Sequence, residues 1–219
     1  MQATFSFLRD LAQNNNRDWM HAHKDRYQAA KAEFEDFLQR LLLALTAHDP
    51  SLDGLAAKDC IYRLARDIRF SKDKSPYKTN FAAGLDQDGR KSERAFYYLH
   101  IQPEAAFIAT GMYMPPREIL QKIREEIDYN AAELHHILDE PRLKAEFGEL
   151  DIFPEQQLKT IPRGYPKDHP EAELLRYKSF ILSRPVPDGF FAQPDAPQKI
   201  ADTYTLTLPF RRWLNVVFD

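Results

Sequence analysis

The sequence predicts an α+β fold, an antiparallel β-meander of at least four strands packed against N- and C-terminal helices. Three observations predict it. Apolar residues recur at three- and four-residue steps over residues 4–48. Over 58–114 they alternate with polar residues in short runs separated by polar turns. Helical spacing then returns over 115–219, broken by proline-rich turns. Helices, then an antiparallel sheet, then helices is the order of an α+β domain. No repeat, low-complexity tract or linker interrupts it, so residues 1–219 read as a single α+β domain.

The first helical region opens with Phe5, Phe7, Leu8 and Leu11 on one face. Asn14, Asn15 and Asn16 interrupt it, and asparagine is both a turn residue and a good N-cap. A long helix is predicted from Arg17 to Ala47, with Trp19, Tyr27, Phe34, Phe37, Leu38, Leu41, Leu42 and Leu45 on its apolar face. Asp49-Pro50 ends it, because the residue before proline is pushed out of the helical region. Strands are predicted over Ile61–Phe70, Thr79–Leu85, Ala95–Ile101 and Ala105–Tyr113. The loops between them are short, which demands antiparallel pairing. Pro115-Pro116 opens a helix running through Ile127, and further helices are expected near 130–139, 142–149, 169–178 and 196–203.

Composition narrows the function classes. With 15 Phe, 10 Tyr and 2 Trp, the chain has far too many aromatics to be disordered. The one cysteine, Cys60, excludes an internal disulfide and fits a reducing compartment. The longest apolar run, Leu41 to Leu45, is a quarter of the roughly 20 residues that a membrane span needs. The first ten residues lack the basic start and apolar stretch of a signal peptide. A cytoplasmic location without a membrane partner is therefore expected.

Charge is unevenly distributed. The formal net charge is −3, yet residues 61–78 hold Arg63, Arg66, Arg69, Lys72, Lys74 and Lys78 against only Asp67 and Asp73. That stretch carries +4, and the other 201 residues carry −7. Like charges this close repel, and an anion among them relieves the repulsion. On a strand Arg63, Asp67 and Arg69 would share a face, with Asp67 holding the fork of one guanidinium and leaving the other free. The loop from Ser71 to Pro76 would then present Lys72 and Lys74 as an anion cradle.

The run Arg63-x-x-Arg66-Asp67-x-Arg69-Phe70-x-x-x-Lys74-x-x-Tyr77 resembles the signature of the uncharacterised family called domain of unknown function 2461. Phe7-Leu8, Asn15-Asn16-Arg17-x-Trp19, Lys24-x-x-Tyr27, Tyr97 to His100, Gly111-Met-Tyr113, Pro162-Arg-Gly-Tyr165 and Leu174-Leu-Arg-Tyr-Lys178 are similar to it as well. Met20 and His23 depart from its pattern. The resemblance implies a site and no particular reaction.

Two further clusters are candidates. Arg17 and Trp19, after the asparagines, could line the same pocket as the basic segment, or cap a helix and fill a core. Arg163 beside Gly164 could approach a ligand closely, or sit in a surface turn. Several chemistries are disfavoured. The seven histidines show no i, i+4 pair, so no metal is expected. No glycine-rich phosphate loop appears among seven glycines, and no cofactor is expected. Cys60 reads as a buried thiol.

Three readings of the basic segment remain. In the first, Arg63, Arg66, Arg69, Lys72, Lys74, Tyr77 and Lys78, with Arg17, Trp19 and Arg163, bind a small anionic, phosphate-bearing ligand. Tyr77, Tyr97, Tyr98 and Tyr113 would be its stacking partners. In the second, the arginines clamp an anionic substrate, with Asp67 or His100 as acid/base and Tyr77 as donor. An aspartate set among arginines makes a poor base, because opposite charge favours its ionised form. In the third, the network is an internal brace. The acidic remainder of the chain makes nucleic acid the weaker partner and a small phosphate-bearing ligand the better one.

Overall fold

The computed structural model describes residues 1–69 and 72–219. Phe70 and Ser71, which close the expected first strand and open the expected cradle, lie outside the described residues. Nine helices and four strands are present among the described residues. In chain order they are α1 (Gln2–Gln13), α2 (Arg17–Ala22), α3 (Lys24–Thr46), α4 (Ala57–Cys60), β1 (Phe81–Leu85), β2 (Phe96–Ile101) and β3 (Phe107–Met112). There follow α5 (Arg117–Leu138), α6 (Pro141–Phe147), α7 (Ala172–Leu175), β4 (Phe180–Pro185), α8 (Ala196–Leu206) and α9 (Leu208–Asn215). The strands form one antiparallel sheet in the order β1-β2-β3-β4, and the fold is α+β.

The amphipathic spacing placed the first helices correctly, with one break. The helix expected from Arg17 to Ala47 is two helices, because His23 leaves helical geometry at φ −115, ψ 26. Its ring Nδ1 lies 2.8 Å from the Trp19 carbonyl. The reverse holds at residue 130. The helices expected on either side of it are one element, α5, kinked at Asn130 (φ −138, ψ 38).

The first expected strand requires correction. Ile61–Phe70 is not a strand in its described part and makes only single bridges, Ile61 to Ala83 and Ala65 to Tyr77. The segment is extended and turns back on the chain that follows it. Arg66 N–H donates to the Pro76 carbonyl at 2.9 Å, and Lys78 N–H to the Leu64 carbonyl at 2.8 Å. Pro76 has no N–H to return, so the ladder cannot continue. Alternation was therefore read correctly as extended chain and wrongly as a sheet strand. The fourth strand is β4, from a region expected to be helical and proline-rich. Beside it in β3, Gly111 has φ +140, and a Cβ there would lie 1.9 Å from the Phe180 carbonyl oxygen. Only glycine permits this approach.

The chain divides into two compact units. The first comprises Met1–Lys91, Tyr98–Ile108 and Pro185–Thr205. Its core is the face of α1 (Phe7, Leu8, Leu11) against that of α3 (Phe34, Leu38, Leu41), all essentially without exposure. Phe81 at the start of β1 joins a ring cluster with Phe34 (5.5 Å), Tyr27 (6.3 Å) and Phe7 (6.3 Å). The second comprises Ser92–Tyr97, Ala109–Arg184 and Leu206–Asp219. There Ile123, Ile127, Leu175, Phe180, Phe210 and Leu214 are fully buried. Arg211 is buried too, with its guanidinium 5.0 Å from the Tyr97 ring and its Nε donating to the Ala95 carbonyl at 3.0 Å.

Candidate functional site

A cavity of about 980 Å³ lies within the first unit. Helix periodicity builds one wall. Lys24, Tyr27, Gln28 and Lys31 follow the i, i+3, i+4, i+7 stripe of α3 and share one side of it. Arg17, Met20 and His21 of α2 extend that wall. Lys58 of α4 and the extended segment Ile61 to Ala65 face it, with Tyr77 and Phe81. Arg90 and Lys91 come from the 3₁₀ turn after β1.

That turn is fixed by a glycine. Gly89 has φ +58, and a Cβ there would lie 2.7 Å from the Asp59 carbonyl oxygen, so no other residue brings the turn this close to α4. Arg90 then donates to the same carbonyl at 2.8 Å.

Seven of the residues lining the cavity are Lys or Arg: Arg17, Lys24, Lys31, Lys58, Arg63, Arg90 and Lys91. None is Asp or Glu. The less exposed lining residues are different in kind. Phe81 and Leu64 are buried, and Tyr27, Tyr62, Tyr77 and Ile61 half-buried. Burial pushes the Tyr27 and Tyr62 hydroxyls up from their ordinary pKa. The lining combines buried or half-buried apolar and aromatic side chains with cations that, except for half-buried Lys31, are exposed.

Asn15 positions Tyr77. Its Nδ2 donates to the Tyr77 carbonyl at 2.9 Å, and its Oδ1 accepts from the Tyr77 N–H at 3.1 Å. Asn16 is the N-cap of α2, accepting from the Trp19 N–H at 2.9 Å. Replacing Asn15 with alanine removes both clasping bonds. We expect a loss of about 1–2 kcal/mol in a denaturant titration, and one below about 0.5 kcal/mol would show the clasp to be immaterial.

The residues expected from sequence separate into groups. Arg63, Tyr77 and Arg17 line the cavity. Among the described residues Arg63 makes no hydrogen bond or salt bridge, feeling Asp67 only through its charge. Arg66, Asp67 and Lys78 line a separate depression of about 410 Å³ with Thr79 and Asn80. Arg66 is engaged there by Asp73 and, at 3.0 Å, by the Ser75 hydroxyl. Arg69 is 77% exposed and pairs through two nitrogens with Asp67, at 2.9 and 2.6 Å. Lys72 is exposed, and Lys74 donates to the Ile68 carbonyl of its own loop at 2.9 Å. Trp19 stacks on His23 with ring centroids 4.3 Å apart. Arg163 is exposed at a turn of the second unit.

The acid/base candidates are already occupied. The Arg69 side chain, then its N–H, holds Asp67 below the usual carboxylate range. The Ser75 N–H and hydroxyl, then Arg66, do the same to Asp73. His100 faces the Tyr98 hydroxyl through Nδ1 and the Gln102 Oε1 through Nε2, each at 3.2 Å, and stacks on Phe107 at 4.6 Å. Burial, reinforced by the Lys78 charge, lowers its pKa. Lys78 is itself lowered, by burial first and then by Arg63 and Arg66. Burial and the neighbouring Asp59 push the Cys60 thiol up to about 12, so it is no nucleophile. Of the expected stacking tyrosines, Tyr97 is fully buried, and Tyr113, in the second unit, accepts from Gln156 Nε2 at 2.8 Å.

Sequence reasoning missed Lys24, Lys31, Lys58, Arg90 and Lys91 as site residues. Part of the signal was visible. Lys24, Gln28 and Lys31 make a polar stripe on α3 without an acid on it, beside Tyr27. Lys58, Arg90 and Lys91 converge only through the fold.

Among the described residues no group of three or more His, Cys, Asp or Glu side chains could hold a metal ion. No described helix is long and apolar enough to cross a membrane. A family model described as "Conserved hypothetical protein (DUF2461)" matches residues 3–213. Neither the curated proteins nor the solved structures give a match.

Proposed function

The chain belongs to the DUF2461 family, whose description assigns no activity, and we propose its function from the cavity: it binds a small, multiply charged, phosphate-bearing anion. The observation that carries this reading is the lining, with seven cations and no carboxylate. Cations converging on one concavity repel one another, and the opposite charge of a ligand turns that repulsion into attraction. Arginine supplies paired donors to phosphate, and lysine a mobile point charge. The site differs from the strand-and-loop cradle expected from residues 61–78. Only Arg63 and Tyr77 of the residues expected there line it, and the remaining cations come from α2, α3, α4 and the turn after β1.

An enzyme acting on the anion is less well supported. The titratable lining residues besides the cations are His21 and three tyrosines, and Asp67 is committed to Arg69. The lone, buried Cys60 accords with a reducing cytoplasmic compartment. Titration calorimetry with inorganic tripolyphosphate tests the reading. We expect 1:1 binding that weakens at least about tenfold between 50 mM and 500 mM NaCl, as screening of exposed charges requires. No heat at millimolar ligand, or affinity indifferent to salt, would contradict it.

A further inference from the structure

Resting on that reading of the cavity, we infer that its ligand is a nucleoside polyphosphate, an aromatic base joined to several phosphates and taken without a divalent cation. Size is the first reason. Ligand pockets for drug-sized molecules measure roughly 300–1,000 Å³, and this cavity, which is open on one side, is at the upper end with about 980 Å³. An inorganic phosphate chain would leave most of it filled with water.

The lining is the second reason. Besides the cations the lining holds half-buried Met20, Ile61, Tyr62 and Tyr77, backed by buried Leu64 and Phe81. Such a wall gives an inorganic anion nothing, whereas a planar base gains by leaving water against it. Tyr77 stands out among these rings. Tyr27 packs on Phe7 and Phe81, and Tyr62 on Tyr98. Among the described residues the Tyr77 ring has no aromatic partner and its hydroxyl no hydrogen bond, although Asn15 clasps its backbone on both sides. A half-buried aromatic ring on a fixed backbone, facing a cationic cavity, is a stacking platform for a base.

The charge balance is the third reason. Magnesium-dependent phosphate sites place carboxylates on the metal, and no carboxylate lines this cavity. Seven cations already face the phosphate charge, and a magnesium ion would add two positive charges to them. Metal-free polyphosphate is therefore the form that fits. No glycine-rich loop is needed, because side chains rather than backbone N–H groups contact the phosphates.

Competition calorimetry separates this inference from the reading beneath it. ATP, GTP, tripolyphosphate and a ten-nucleotide thymidine oligomer are titrated in EDTA and again with excess Mg²⁺. We expect ATP and GTP to bind at least about tenfold tighter than tripolyphosphate, the size of one base–aromatic stack, and Mg²⁺ to weaken both. Tyr77→Leu should bring the nucleotide-to-tripolyphosphate ratio toward one, and Tyr77→Phe should preserve it. Equal affinity for nucleotide and tripolyphosphate would overturn the inference while leaving an anion site. A requirement for Mg²⁺, a full preference retained by Tyr77→Leu, or tighter binding of the oligomer than of either mononucleotide would also overturn it. Absence of tripolyphosphate binding would overturn the anion site itself.

Discussion

Reversing charge at two cavity positions together, Arg63→Glu and Lys31→Glu, should weaken tripolyphosphate binding at least about 100-fold, since each charge-assisted contact contributes roughly 1.5–3 kcal/mol and reversal adds repulsion. Stability should change little. Among the described residues Arg63, which is exposed, makes no hydrogen bond or salt bridge, and Lys31, half-buried on α3, has no ion pair to break. Surface substitutions of this kind usually stay within about 0.5 kcal/mol, so loss of binding without loss of fold is the expected pattern. The control is the loop that sequence alone favoured. Lys72→Glu with Lys74→Glu should leave affinity within about threefold, because those ammonium groups act only through screened solvent. If the loop pair abolished binding and the cavity pair did not, the cradle expected from residues 71–76 would be the site after all.

The second large effect concerns the fold. Gly111→Ala should destabilise the protein by at least about 3 kcal/mol, combining a disfavoured φ with displacement of a paired strand. The clash is with backbone, since the new Cβ would lie 1.9 Å from the Phe180 carbonyl oxygen. A flexible side chain could move aside, but a strand carbonyl cannot without breaking its ladder. Gly54→Ala is the comparison, having φ +76 but no atom within 4 Å of the added carbon, and should cost about 1–2 kcal/mol. Urea unfolding of the two variants measures both values. A Gly111→Ala variant as stable as Gly54→Ala would contradict the pairing of β3 with β4.

These two predictions mark where the sequence was and was not legible. Long helices with one apolar stripe, such as α1 and α3, could be read because their pattern is local. So could β1, β2 and β3, short runs bounded by turns, although only β2 alternates in burial while β1 and β3 are buried almost throughout. β4 was missed because Phe180 to Pro185 is a short run among prolines, too brief to distinguish from a broken helix. The segment after Cys60 was misread for the opposite reason. Its alternation is real, but Arg66 turns to Asp73 and Ser75, and Pro76 stops the ladder.

The site was half legible. Sequence density drew attention to residues 61–78, and Arg63 and Tyr77 do line the cavity. Arg66, Arg69 and Lys74 are spent on Asp73, Asp67 and the Ile68 carbonyl. Local crowding of opposite charges is what pairs them, so a charge-rich run tends to satisfy itself. Arg63 is the exception in that run, and the other lining cations are set apart in sequence: Lys24 and Lys31 show as a polar stripe on α3, whereas the approach of Lys58, Arg90 and Lys91 is invisible before folding.

The central claim is that anions collect in the cavity and not on the basic loop. A crystal soaked in tungstate, a tetrahedral dianion with strong anomalous scattering, locates them directly. The account predicts an anomalous peak inside the cavity, within hydrogen-bond reach of Arg63 and at least one of Lys31, Lys58 and Arg90. A cavity without a peak, with tungstate instead held at Lys72 and Lys74, would contradict it.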